Sequence, residues 1–365
     1  MSARKLASYA KIFYAWQIRK SLAPSYMPED ISVEATNACN FRCAFCPQSD
    51  PRHHELVPRI TLEPEGAAAI FKRLREGGVT TPTLHWTLDG EPFMNKKFAA
   101  LCGIAIGHGF TNMIFATNGM LLSEQRLREL PVSPQTKYTF TIDYCADAEY
   151  FEEVRGKKGS WQVIQDNIRA SLGNNSQQHL HFQLSDITAY KTHDAEVRRT
   201  QFEKLNGLFA GAGGRINFRA KTFHNSTGLT SVPASNARKD RYYTCPYPWT
   251  SLVVASDGRV VACCRDLRRQ TVLGNLLDEP LEAIWRGAAA QELRRNLALR
   301  TPWKSKACDG CDMPYDASKF SLRNLIRTAR GRLQIFAPGT AGATGFAAHR
   351  GETSGVPSPT GRGTG

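Results

Sequence analysis

Cys39, Cys43 and Cys46 fall within ten residues, Cys39 to Gln48, that read CNFRCAFCPQ. Thiolates are the ligands that iron–sulfur clusters favour, and close spacing lets one loop wrap a cluster. Three thiolates satisfy three irons of a [4Fe–4S] cube and leave the fourth open to a ligand from outside the protein. A zinc site usually asks for four ligands from paired short spacings. No fourth ligand stands at a standard short spacing, although His53 and His54 keep zinc open as the competing reading. Towards the other end come Cys245, Cys263, Cys264, Cys308 and Cys311, while Cys102 and Cys145 stand apart and read as core thiols.

The chain around these thiols has 365 residues, 41% of them apolar, enough for one large domain and a smaller one. Its apolar runs are broken by charge before a membrane-spanning length, and residues 1–22 lack the continuous apolar centre of a signal peptide. Ten cysteines without a secretion signal point to a reducing, cytoplasmic setting and to metal ligation rather than disulfides. The formal charge of +14 permits an anionic partner and selects none. Residues 2–22 carry Lys5, Lys11, Arg19 and Lys20 among Tyr9, Phe13, Trp16 and Ile18, with no acid. Such a helix can lie on an anionic membrane, which would add peripheral membrane association to the cytoplasmic assignment; the alternative is a helix that caps the core and buries its aromatics.

The hydrophobic pattern predicts strands over 31–35, 83–88, 112–116, 137–142, 180–184 and 215–220. Helices are expected over 65–75, 95–107, 123–130, 161–172 and 195–205. Strands alternating with helices imply a parallel sheet. Two short strands, 251–254 and 260–262, are expected across the Asp257–Gly258 turn, with a helix in GNLLDEPLEAIW that packs Leu281, Ile284 and Trp285 inward. A helix over 320–333 with Arg323, Arg327 and Arg330 on one side would be a second basic membrane contact. Residues 336–365, rich in Gly, Ala, Thr and Pro, read as a disordered tail.

The triad with Phe45 before its third cysteine resembles the signature of the radical S-adenosylmethionine (SAM) enzymes. Asp89-Gly90-Glu91-Pro92 after the second strand resembles their Gly-Gly-Glu-Pro turn, with Asp89 a departure, and Thr117-Asn118-Gly119 a turn frequent among them. The resemblance implies an α/β fold, a partial (β/α)6 TIM-like barrel with its chemistry at the strand carboxyl ends, where Asp143, Gln183, Arg219 and Lys221 also fall. It implies a site-differentiated [4Fe–4S] cluster on Cys39, Cys43 and Cys46. It also implies SAM bound by Phe45, Gly90, Glu91 and Asn118, with Asp143 and Gln183 near the ribose or substrate.

The later cysteines resemble a shortened SPASM, or twitch, auxiliary-cluster domain. That resemblance implies Cys245, Cys263, Cys308 and Cys311 as ligands of a second [4Fe–4S] cluster, with a four-thiolate zinc site as the alternative. Their intervals of 18, 45 and 3 resemble those of the butirosin-pathway aminocyclitol dehydrogenase. The implied organisation is a basic helix over 1–28, the barrel over 29–222, a linker over 223–244, the auxiliary domain over 245–315, a basic helix over 316–335 and the tail.

The expected activity is hydrogen abstraction from a small polar metabolite, a sugar or aminocyclitol, followed by dehydrogenation with the auxiliary cluster as electron acceptor. A reductant such as flavodoxin or ferredoxin is the expected protein partner. The alternatives are a carbohydrate epimerase or decarboxylase, a peptide maturase, an RNA-modifying enzyme and a non-catalytic iron–sulfur or zinc protein. The charge alone raises RNA, and no appended RNA-binding module supports it. Arg219 approaches the reaction face, and Cys264, the spare thiol of the second set, is the candidate hydrogen donor for epimerisation.

Overall fold

The computed structural model describes residues 10–174, 177–226, 228–230 and 242–315. The basic helix expected over 320–333 and the 336–365 tail lie outside the described residues. Nine strands form one sheet among those described: β1 (Asp30–Val33), β2 (Thr83–Trp86), β3 (Asn112–Ala116), β4 (Lys137–Tyr144), β5 (Leu180–Asp186), β6 (Ile216–Ala220), β7 (Ser251–Val254), β8 (Arg259–Val261) and β9 (Val272–Asn275). Their order is β6-β5-β4-β3-β2-β1-β7-β8-β9. β1 to β6 are parallel neighbours in sequence order, the arrangement of a partial TIM-like barrel with its helical crossovers. β7 runs parallel to β1, and β8 and β9 follow antiparallel, so the smaller C-terminal unit extends the barrel's own sheet.

The local reasons are visible in the sequence. β4 reads KYTFTIDY and buries every second residue, Tyr138, Phe140, Ile142 and Tyr144. The helix Pro64–Glu76 starts on a proline, buries Ala67, Ile70, Phe71 and Leu74 at helical spacing, and stops at Gly77. Rings from successive elements then interlock. Phe93 meets Phe98 at 4.9 Å between centroids, and Phe115 stacks on Phe140 at 5.0 Å.

β4 and β5 run two residues past their expected ends, because Asp143 pairs with Ser185 and Tyr144 with Asp186 in an unbroken register. Asp143 therefore sits on β4 rather than just past its end, and Gln183 lies within β5. The helix Ala148–Arg155, the strand β9 and the helix Ala288–Ala298 were not anticipated. The first had standard signals: Asp147 caps the Tyr150 amide at 3.0 Å, and Gly156 closes the helix at φ 63°.

The membrane contact expected of residues 1–22, and the membrane association it added to the localisation, are corrected. No described helix is long and apolar enough to cross a membrane. Within the segment, Ile12 and Trp16 are buried, and the Trp16 indole donates to the Thr244 carbonyl at 2.9 Å. Trp16 packs with Cys245, Leu297 and Ala307, as the core-capping alternative expected of it.

Arg294 organises this end of the molecule. It is 1% exposed, lies 4.4 Å from the Trp285 ring centre, and donates to the carbonyls of Pro248, Leu22 and Trp285. Burial lowers its pKa to about 10, so the charge is retained at neutral pH. Arg294→Ala strands those buried carbonyls, and denaturant unfolding followed by tryptophan fluorescence is expected to show a loss of about 3 kcal/mol or more. Arg294→Lys, which cannot span three acceptors in one plane, should recover less than half of it.

Candidate active site

The cysteine loop leaves the carboxyl end of β1 and has no strand or long helix of its own. Neighbouring backbone holds it instead. The Ala44 amide donates to the Val154 carbonyl at 2.8 Å, the Asn37 amide to Ile60 at 3.2 Å, and the Glu91 amide to Ala38 at 2.9 Å. Gly90 passes so close that a Cβ there would lie 2.1 Å from the Thr36 carbonyl oxygen and 2.6 Å from that of Ala38. Gly156 makes a similar approach, since its Cβ would lie 2.4 Å from the Arg42 carbonyl oxygen.

Asp89 takes up the work that a glycine at its position could not do. Its side chain accepts from Gln48 at 3.1 Å and pairs with His53 at 2.7 Å, while its backbone carbonyl accepts from Gln48 at 2.9 Å. His53, which had kept zinc open, is thereby held by a carboxylate. Glu91 is buried and gathers the next turn: Oε1 accepts from the Thr117 hydroxyl at 2.8 Å and the Phe93 amide at 3.2 Å, and Oε2 from the Asn118 amide at 2.6 Å. Burial pushes the Glu91 carboxyl up, against the pull of these donors. The Asn118 side chain reaches Asn40 of the cysteine loop at 2.7 Å. Gly90, Glu91 and Asn118 are thus brought onto the loop that carries Cys39, Cys43 and Cys46.

All three thiols are free. Burial raises each of them, Cys39 to about 11, and repulsion from neighbouring thiolates adds to it for Cys39 and Cys46. A positive iron core removes that penalty, since a coordinating thiol is deprotonated outright. The surroundings fit an anionic group as well. Arg155, missed in the sequence, is buried, faces Phe41, Phe45 and Phe151 at 5.2 to 5.8 Å, and is electrostatically coupled to all three cysteines. Its Nε has no hydrogen-bond partner.

Beside Phe45 lies a polar rim. Phe45, Tyr190 and Phe223 pack edge to face at 5.1 to 5.7 Å. Asp143 binds Lys221 at 2.5 Å and Arg155 at 3.5 Å, both through Oδ2. Burial works to raise that carboxyl, but the two cations outweigh it and hold it below the ordinary aspartate value. Arg219 donates to the Ser185 hydroxyl at 2.8 Å and, with the Gln183 amide oxygen turned towards it, to Gln183 at 3.0 Å.

The later thiols form a second group. Cys263 is coupled to Cys264, Cys245, Cys308 and Cys311, and burial raises Cys245, Cys263, Cys264 and Cys308. Cys264 shares Arg265 with Cys245, Cys263 and Cys311, and Asp30 at the amino end of β1 acts on it as well. Among the described residues no three His, Cys, Asp or Glu side chains converge as one metal ion requires. A cube takes one thiolate per iron and does not ask for that convergence. The second group is linked to the first, because Asn225 donates to Gly310 at 2.7 Å and His224 meets Asp312 at 3.4 Å, just beyond Phe223.

Two substitutions test how the loop is held. Gly90→Ala should prevent the loop from closing and abolish iron uptake, read as iron per chain after anaerobic reconstitution. Asp89→Gly restores the commoner residue but removes the anchors of Gln48 and His53. We expect it to bind iron and to lose it faster to a chelator than the parent chain, with the fold intact by circular dichroism.

The family model of the radical SAM superfamily matches residues 33–179, and that of the iron–sulfur cluster-binding SPASM domain residues 245–312. The chain is 27% identical over 145 residues to the sporulation killing factor maturation protein SkfB of Bacillus subtilis, covering 40% of this chain and only 33% of that protein. It is 22% identical over 287 residues to the S-adenosyl-L-methionine-dependent 2-deoxy-scyllo-inosamine dehydrogenase of Niallia circulans, covering 77% of this chain and 92% of the relative. The fold is similar to that of BtrN in complex with AdoMet and 2-DOIA, with a TM-score of 0.53 and 19% identity over 80% of this chain and 95% of that one. With its three-cysteine loop, its glycine-backed turn and these two matches, the chain belongs to the radical SAM superfamily and carries a SPASM domain.

Proposed function

We propose that the chain dehydrogenates a small polar metabolite of the sugar or aminocyclitol kind. The observation that carries this is the rim beside Phe45, where hydrogen-bonding and charged groups ring an aromatic wall. Both cations on Asp143 use Oδ2, which leaves Oδ1 for a hydroxyl of ribose or substrate. Gln183, Ser185 and Arg219 add donors and acceptors at the spacing of neighbouring strands, suited to a polyhydroxylated ring. The near full-length relationship to a dehydrogenase of an aminocyclitol supports the same class.

In this reading Cys39, Cys43 and Cys46 would hold a [4Fe–4S] cluster next to bound SAM, and Cys245, Cys263, Cys308 and Cys311 would hold a second. Bound together, SAM and the first cluster supply a 5′-deoxyadenosyl radical that removes one hydrogen atom from the substrate. Glu91, Gly90 and Asn118 fix the methionine end of SAM, Arg155 neutralises its carboxylate, and Phe45 packs against the adenine. Arg219 orients the substrate hydroxyl so that the carbon losing hydrogen faces the radical. A second cluster held by Cys245, Cys263, Cys308 and Cys311 would supply the one-electron acceptor that such an oxidation to a carbonyl needs, the hydroxyl losing its proton. Asp30, at the amino end of β1, acts electrostatically on Cys264, which supports a place for that thiol away from the reaction face and so oxidation over return of a hydrogen atom.

Anaerobic incubation with candidate aminocyclitols and sugars should yield 5′-deoxyadenosine and a product about two mass units lighter. Cys264→Ser should turn over normally. One solvent deuterium at an inverted carbon would overturn the oxidation, and a modified peptide in place of a metabolite would overturn the substrate class. The reconstituted chain should hold about eight irons, and about four once Cys39, Cys43 and Cys46 are replaced by Ala. Stoichiometric zinc in that variant would count against the second cluster.

A further inference from the structure

Dehydrogenation as proposed would leave one electron on a cluster held by the second cysteine group, and the surface over that group has the character of a protein contact. Trp16, Leu297 and Ala307 pack around Cys245 and Cys308, so residues 10–22 and 295–306 form the outer cover of this site. The cover is apolar in places where solvent would select polar residues. Leu299 is 66% exposed, Ile18 63% and Trp303 58%, among the most exposed large apolar side chains described. Exposed single apolar residues are ordinary; several on one cover, ringed by one sign of charge, mark an interaction surface.

The charge is one-sided. Residues 295–306 contain Arg295, Arg300, Lys304 and Lys306 and no acid, and residues 10–22 contain Lys11, Arg19 and Lys20 and no acid. Among the described residues, Arg300, Lys304 and Lys306 have no carboxylate within ion-pair distance. Lys20 donates to Gln17 at 3.2 Å and to the Thr244 hydroxyl at 3.0 Å, and Arg300 lies near enough to help lower the Lys20 pKa. Both stand on left-handed backbone, Lys20 at φ 50° and Arg300 at φ 62°, a conformation that is costly for residues with side chains.

We propose that this cover is the docking surface for an acidic one-electron carrier protein, which takes the electron from the second cysteine group. An acidic partner neutralises Arg300, Lys304 and Lys306, while Trp303, Leu299 and Ile18 supply the apolar centre of the contact. The electron balance is complete. The substrate gives up a hydrogen atom, a proton and one electron, the electron rests on the second cluster, and the oxidised carrier is reduced by it. The inference rests on the dehydrogenase reading for the direction of electron flow, and on charge and exposure for the surface itself.

The test uses full-length reconstituted protein and a purified flavodoxin as the carrier, with Trp303→Ala and the double variant Lys304→Glu/Lys306→Glu. Binding should weaken about tenfold or more in the charge-reversed variant and fall steeply with added salt in the parent chain. Cross-links from the carrier should map to 295–306. With dithionite as electron source, 5′-deoxyadenosine formation by both variants should equal that of the parent chain. Re-oxidation of the second cluster by oxidised flavodoxin, followed by electron paramagnetic resonance, should slow in both. Unchanged binding and unchanged re-oxidation in the charge-reversed variant would overturn the docking surface, as would cross-links confined to the barrel. Absence of 5′-deoxyadenosine from the parent chain with dithionite would instead defeat the functional reading, so the two failures are separable.

Discussion

The close approach of Gly90 to the backbone of Thr36 and Ala38 is the constraint on which the site depends. A loop carrying one buried and two half-buried thiols has little regular hydrogen bonding of its own and must borrow shape from its surroundings. Here the second βα turn lies directly against the first. The Glu91 amide bonds to Ala38, and the Glu91 carboxylate then draws in the Thr117–Asn118 turn of the third strand. Three successive strand ends are thereby locked to one another by contacts that tolerate no side chain at position 90. Asp89 is part of the same lock. A second glycine there would give a freer turn, whereas aspartate ties the far side of the cysteine loop through Gln48 and His53.

The same strand end carries the link to the C-terminal unit. Glu34 follows β1 and is 1% exposed; it pairs with Arg269 at 2.7 Å and accepts from the Ser256 amide at 2.9 Å and hydroxyl at 2.7 Å. Arg269 continues to Asp257 at 2.9 Å. A buried pair of this kind adds little net stability over an apolar replacement, but loss of one partner leaves an uncompensated charge. Its effect is to fix the angle between β1 and β7, and so the position of the second cysteine group relative to the first. Asp50 and Arg268, paired at 2.7 Å, repeat the link from the end of the cysteine loop.

The parts of the fold readable from sequence were those that repeat. Strand–helix alternation with regular spacing specified six parallel strands, and β3 fell where its apolar run lies. The thiol spacings and the turns at 89–92 and 117–119 located the site because each rests on residues adjacent in sequence. What was missed depends on long-range contact. Arg155 reads as an ordinary helical cation until Phe41, Phe45 and Asp143 enclose it. Glu34 and Arg269 are 235 positions apart and acquire meaning only through the β1–β7 pairing. Residues 10–22 presented an amphipathic, basic pattern whose partner could not be named from the pattern, and Trp16 turned out to have a protein partner in Thr244.

Each cysteine group is accompanied by a buried or largely buried arginine. Arg155 is coupled to Cys39, Cys43 and Cys46, and Arg265 to Cys263, Cys264 and Cys311; the Nε of each lacks a hydrogen-bond partner. Thiolate clusters carry net negative charge, and charge and hydrogen bonds around them set the potential at which they accept an electron. Arg155 is shared with Asp143, which takes back part of its positive field. Arg265 has Tyr247 as its leading electrostatic partner, a neutral phenol at physiological pH whose own ionisation is suppressed by burial. Arg265 also acts on the Asp312 carboxyl, which it helps to hold below the ordinary aspartate value. Each cysteine group thus has a guanidinium that shares its field with one aspartate, Asp143 at the end of β4 for the first and Asp312 for the second, and each brings positive charge to thiols whose ionisation burial opposes.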